Sequence, residues 1–98
     1  MKIEKIRNSS ELTLAVEGRI DAKTAPELES VLDEALDGVT GLTFDLKQVT
    51  YISSAGLRVF LKVQKQMNAH GKMKVINANE DLMEIFEVTG FNDILNIE

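Results

Sequence analysis

The sequence predicts an α/β fold: one domain with a mixed, mostly parallel sheet and helices packed on it, in the order ββαβαβαβ. Two observations predict it. Runs that alternate apolar and polar residues, the period of a strand with one buried face, are separated by segments whose apolar residues recur every three or four positions, the period of an amphipathic helix. The first two strand-like runs are joined by too few residues for a crossover, so the first strand is antiparallel and at an edge, whereas the later strands are separated by single helices and run parallel. A chain of 98 residues, 44% of them hydrophobic, can build one core and is too short to split, so residues 1–98 are read as a single domain.

Ile3 and Ile6 mark a short first strand, and "NSSE" is the turn that follows it. In "ELTLAVEG", Leu12, Leu14 and Val16 alternate with Thr13, Ala15 and Glu17. The helix of "DAKTAPELESVLDEALDG" has Thr24 as its cap, Pro26 in a first turn that does not need its N–H, and Gly38 at its close. Leu28, Val31, Leu32, Ala35 and Leu36 form its apolar stripe, leaving Glu27, Glu29, Asp33, Glu34 and Asp37 to water. "GLTFDL" is a strand through Leu42, Phe44 and Leu46, and "VTYI" carries it to two adjacent serines, Ser53 and Ser54. After them "AGLRVFLKVQKQMNAHG" is a helix whose core flank is Val59, Phe60, Val63 and Met67, extended by Leu57 and Leu61. Arg58, Lys62 and Lys65 share the opposite side. "KMKVIN" is a short strand, "ANEDLMEIFEVTG" a helix with Met83 and Phe86 in the core and Gly90 past its end, and "FNDILNIE" a last short strand or tail.

Composition removes several classes of function. Without cysteine there is no disulfide, thiolate metal site or thiol nucleophile. A net charge of −5 repels a phosphate backbone, and no stacking platform offsets it, so nucleic acid is not an expected partner. No apolar leader follows Met1 and no run is long enough to span a membrane, which places the expected chain in the cytoplasm. There is neither a phosphate-binding Gly-rich motif nor a cluster of metal ligands, so no cofactor is expected.

A serine at a strand-to-helix turn invites comparison with hydrolase nucleophiles. The elbow G-x-S-x-G fails, because Ile52 stands two residues before Ser54, and His70 lies at the far end of the following helix. A small serine hydrolase is therefore the weakest of the functional classes. The plain structural reading of the pair is that one serine caps the helix. Two details go beyond it: neither serine has Glu or Gln three residues on, and Gly56 in a first turn costs about 0.5–1 kcal/mol relative to alanine, as if a bare backbone were wanted there. A helix N-terminus, with free N–H groups and a partial positive charge, tolerates a phosphate added to such a serine, and the added charge would expel a partner fitted to a neutral hydroxyl.

These residues carry a family resemblance. "DLKQVTYISSAGLRVFL" resembles the central motif of the STAS family, especially the bacterial anti-sigma factor antagonists; "VEGRIDAKTAPEL" resembles its G-x-[LI]-D-x-x-T-A run, and "LMEIFEVTGFNDIL" its late helix. The likeness implies a single STAS-like domain that is a non-enzymatic binding module. Gly56 and Leu57 set the register, Ala55 takes the variable place, Ser54 the place of the phosphorylated serine, and Ser53 the place where Asp is usual, which makes Ser53 the alternative acceptor. Asp21 and Thr24 match loop residues near the switch; with Ser53, Ser54, Ala55, Gly56, Leu57, Arg58 and Lys62 they make up the implied partner-binding surface. The implied partners are a serine kinase that is also an anti-sigma factor, bound by the unmodified form so that the sigma factor is released, and a serine phosphatase that resets the cycle. A STAS adaptor subunit of a lipid-transport or secretion-signalling assembly is the alternative, and the oligomeric state stays open.

Overall fold

The computed structural model describes residues 1–98. Strands β1 (Lys2–Asn8), β2 (Glu11–Ile20), β3 (Gly41–Ile52) and β4 (Lys72–Ile76) form one sheet in that spatial order. β1 is the antiparallel edge strand, and β2, β3 and β4 run parallel. Helices α1 (Ala25–Ala35), α2 (Ser54–His70) and α3 (Glu80–Thr89) follow β2, β3 and β4, giving ββαβαβα. The last segment is a tail: a 3-10 turn at Phe91–Asp93, then a single parallel bridge of Ile97 to Val75. Val75 N–H donates to Asn96 O and Glu98 N–H to Val75 O, both at 2.9 Å, and buried Leu95 anchors the tail between turn and bridge.

The long strand β3 is not a plain alternation. Its early core positions are Leu42, Phe44 and Leu46, and its later ones Val49 and Ile52. The pairing explains the change of spacing. Ala15 lies opposite Asp45 but Glu17 opposite Gln48, and Gly18 opposite Val49 but Arg19 opposite Tyr51, so β3 takes one extra residue at each of two irregularities. Each extra residue shifts the buried position by one. Gly18, at φ 105°, supplies backbone that L side chains rarely adopt at the second of these places. The result matters for function: Ile20 and Ile52 finish side by side, so the connection after β2 and the start of α2 emerge together.

The core is one cluster in which Leu12, Leu14 and Val16 of β2 and Phe44 of β3 meet Leu28 and Leu32 of α1 and Phe60, Val63 and Met67 of α2. Phe44 and Phe60 pack edge to face, with ring centroids 4.7 Å apart, which fixes α2 on the sheet. Phe60 is fully buried, so its truncation to alanine removes about 3–5 kcal/mol. In α3, Leu82 and Phe86 are buried, but Met83 is 39% exposed: it falls about 100° round the helix from Leu82, off the core stripe, and so is not the core residue expected. Asn79 caps α3 by accepting from Leu82 N–H at 2.9 Å, and Gly90 ends it in the left-handed conformation.

Candidate functional site

The two serines at the β3–α2 junction have separate jobs. Ser53 leaves the strand in extended conformation, and its N–H donates to Ile20 O at 2.8 Å, continuing the β2–β3 ladder by one bond. Its hydroxyl accepts from Gly56 N–H at 3.4 Å and its carbonyl from Leu57 N–H at 2.9 Å, so Ser53 is the N-cap of α2. Ser54 is the first helical residue; it is exposed, and its hydroxyl makes no side-chain hydrogen bond. The amides of Ser54 and Ala55 lie in the turn that has no carbonyl one turn back, so they keep the donor character and partial positive charge of a helix start beside that hydroxyl.

Gly56 answers a different need from the one its position suggests. A Cβ there would lie 2.7 Å from Ile20 Cγ2, 2.9 Å from Ile20 O and 3.0 Å from Ile52 Cγ2. The bare backbone lets the first turn of α2 press against the ends of β2 and β3. It is a packing requirement, and by this contact it also holds Ser54 at a fixed height over the sheet.

The β2–α1 loop stands beside that turn. Asp21 Oδ1 accepts from the backbone N–H of Lys23 at 3.0 Å and of Thr24 at 3.1 Å. Thr24 does not cap α1 with its side chain as expected: its backbone is already helical, and its Oγ1 donates to Arg19 O at 2.7 Å and accepts from Asp21 N–H at 2.9 Å. These bonds close the loop on itself, so Asp21 and Thr24 shape the surface more than they offer free polar atoms. The amide donors of Thr24 and Lys23 hold the Asp21 carboxyl below its ordinary range, against the opposing effect of burial, and Arg19 adds to the lowering.

A shallow groove between α1 and α2 leads away from Ser54, with Ala22 and Pro26 on one wall and Ala55, Arg58 and Val59 on the other. Lys62, further along, donates to Glu29 Oε2 at 2.9 Å, and this bond together with the carboxylate's charge raises the Lys62 ammonium above its ordinary range. Glu29 is therefore bound across the helix interface instead of facing water alone. The basic side of α2 divides accordingly: Lys62 is compensated within the chain, while Arg58 and Lys65 are exposed and outside both of the chain's ion pairs.

Two residues of this corner carry no motif signal. Arg19 stacks over the Tyr51 ring at 4.6 Å from its centroid and pairs with Asp21 at 3.6 Å. They become neighbours because β2 and β3 place them opposite one another. Only knowledge of the strand register, with its two irregularities, would have joined Arg19 to the site.

Leu57 is buried beneath the junction and Ala55 is half-buried at its rim, so of the residues in the implied partner-binding surface, Ser54, Arg58 and Lys62 are the exposed ones along α2. His70 lies at the other end of this 17-residue helix, about 24 Å of helical rise from Ser54, too far to act as its base. No helix is long and apolar enough to cross a membrane.

Comparison with known proteins bears on the family and the fold. The family model described as "STAS domain" matches residues 2–98. The anti-sigma-B factor antagonist of Bacillus subtilis (strain 168) is 33% identical over 92 residues, covering 93% of this chain and 84% of that protein. Among solved structures, an anti-sigma factor antagonist from Mycobacterium paratuberculosis superposes with a TM-score of 0.88 at 21% identity, over 98% of this chain and 83% of that one. The Bacillus cell fate determinant SpoIIAA in its phosphorylated form gives a TM-score of 0.76 at 13% identity, over 99% of this chain and 91% of that one. At such identities the two structures speak for the fold alone.

Proposed function

This chain belongs to the STAS domain family, and from that premise and the geometry of the β3–α2 junction we propose that it is an anti-sigma factor antagonist, a binding module switched by phosphorylation of Ser54. In the unmodified state it engages a serine kinase that is also an anti-sigma factor, through the start of α2, the β2–α1 loop and the groove between α1 and α2, and the sigma factor held by that kinase is set free. The kinase transfers the γ-phosphoryl group of ATP to Ser54 Oγ: the bond from phosphorus to the ADP oxygen breaks, the bond to Oγ forms, and the hydroxyl proton passes to a base of the kinase. A serine phosphatase returns the hydroxyl by hydrolysis. The chain contributes no catalytic group, and its place of action is the cytoplasm, where kinase and sigma factor work.

The observation that carries this reading is the division of labour between the serines. Ser53 is committed as the cap of α2, whereas Ser54 is exposed with a free hydroxyl beside open amides. A phosphate on Ser54 adds about −1.5 to −2 charges at a helix end that tolerates them, so the domain stays folded while the surface offered to the partner changes sign. The family's usual Asp before the acceptor is replaced by Ser53, which keeps the capping function and gives up the charge.

The test is incubation with the cognate kinase and ATP, followed by phosphosite mapping. One phosphate on Ser54 is expected. A phosphate confined to Ser53 moves the acceptor by one residue, and none at all transfers the chain to the adaptor class, in which the same helix end docks a partner without a covalent switch.

A further inference from the structure

The cation nearest to Ser54 along its own helix is Arg58, four residues on, and four residues is the spacing at which helical side chains meet, with the acidic member on the N-terminal side in the favoured order. Both side chains are exposed. The other charged groups of this corner are differently placed. Arg19 is stacked on Tyr51 and paired with Asp21, Lys62 is bonded to Glu29, and Lys23 is exposed in the loop with its N–H tied to Asp21. Arg58 alone combines helical spacing from Ser54 with a guanidinium outside both ion pairs, and it also lines the groove between α1 and α2.

We propose that Arg58 is the intramolecular partner of the phosphate on Ser54. This rests on Ser54 being the modified residue and adds a second action to the negative charge itself: the one guanidinium among the residues that line the α1–α2 groove becomes paired within the chain and is no longer offered to a partner. The planar guanidinium can bond two phosphate oxygens at once, which an ammonium cannot. Arg58 is thus a positioning residue for the phosphate.

The test needs no kinase. Phosphoserine is installed at position 54 during synthesis, and the phosphorus resonance is followed by NMR from pH 4 to 9 at low salt. A neighbouring guanidinium favours the dianion, so the second phosphate pKa, about 6 when unperturbed, is expected to lie roughly 0.15–0.4 lower in the otherwise native chain than in Arg58→Gln, the helix end acting equally on both. Arg58→Lys should keep part of the fall, and Lys23→Gln and Lys62→Gln should keep nearly all of it. Amide spectra of each variant confirm the fold, which an exposed substitution leaves intact. A titration unmoved by Arg58→Gln overturns the proposal, as does one that Lys23→Gln moves more. Because the phosphate is placed synthetically, such a failure leaves the kinase reading untouched; failure of the kinase to modify Ser54 is a separate result.

Discussion

Ile20 O accepts the Ser53 N–H at 2.8 Å and lies 2.9 Å from where a Cβ on Gly56 would sit, so one carbonyl at the end of β2 both extends the sheet to the cap of α2 and limits what may stand in its first turn. The start of α2 is in this way welded to the sheet. Under the proposed phosphorylation of Ser54, that fixed helix start is the platform on which the charge is exchanged.

Gly56→Ala measures that weld. Helix propensity favours alanine by up to about 1 kcal/mol, but three contacts at or under 3.0 Å, two of them to Ile20, leave no room for the methyl group. Overpacking of about 1–3 kcal/mol is the larger effect, so a net loss of roughly 1–2 kcal/mol is expected in urea unfolding. Equal or greater stability would mean that α2 can lift from β2 without penalty.

Ser53 can be tested apart from Ser54. Its capping bond is long, at 3.4 Å, so Ser53→Ala should cost about 0.5 kcal/mol, the low end for a lost cap. Ser53→Asp should gain a few tenths of a kcal/mol, since a carboxylate accepts more strongly and complements the helix dipole. Thermal unfolding of the three proteins ranks them, and the order Asp, Ser, Ala is the expected one.

Much of this was legible in the sequence, and the failures have physical causes. The strands of period two and the amphipathic α1 and α2 follow from hydrophobic spacing, because burial on one face is what that spacing encodes, and the antiparallel edge follows from a connection too short for a crossover. The junction residues follow from the motif, and Ser54 is exposed where the motif places it. Thr24 misled because a threonine before Pro26 has the composition of a cap, whereas its hydroxyl is taken by Arg19 O five residues back, a local bond that competes with capping. Gly56 suggested an open backbone because the sequence does not say what lies above it. Arg19 and Tyr51 stayed out of sight because β3 takes two extra residues against β2, and no pattern of apolar residues announces such irregularities.

Charge at position 54 should act on binding and hardly on folding. Ser54 is exposed and uncommitted, so Ser54→Ala and Ser54→Asp should each change stability by no more than about 0.5 kcal/mol. Against the cognate kinase, Ser54→Asp is expected to weaken binding by about 5- to 150-fold, the usual range of a coupling of this kind, while Ser54→Ala binds and resists phosphorylation. The loss should shrink as salt rises from about 0.05 to 0.5 M, since exposed charges are screened over that range. Calorimetry at the two salt concentrations gives both numbers; an Asp variant that binds as tightly as the native chain would remove electrostatics as the cause of release.

Asp21 makes the loop beside the start of α2 sensitive to acid, and the sign of the effect follows from its bonds. Its carboxyl titrates below the ordinary value of 3.8 because the Thr24 and Lys23 amides donate to the ionised form. A group whose folded pKa is depressed contributes stability in full above its unfolded pKa and loses it as the pH falls through the folded one. The contribution of Asp21 is therefore intact at neutral pH, starts to fall as the pH nears its unfolded value of about 4, and is gone only once the pH has passed below the lowered folded value. The side-chain amide introduced by Asp21→Asn still offers one acceptor oxygen to those N–H groups but has no proton to gain. The native chain should therefore lose more stability than Asp21→Asn between about pH 5 and 3, and the two curves should converge at the acid end. The carboxylate is partly exposed to solvent and screened, so the difference is modest; urea unfolding across this range reads it, with the Asp21 carboxyl carbon shift in NMR as a direct monitor. Parallel curves for the two proteins would show that the loop is held by Thr24 Oγ1 and its bond to Arg19 O, with the Asp21 charge incidental to it.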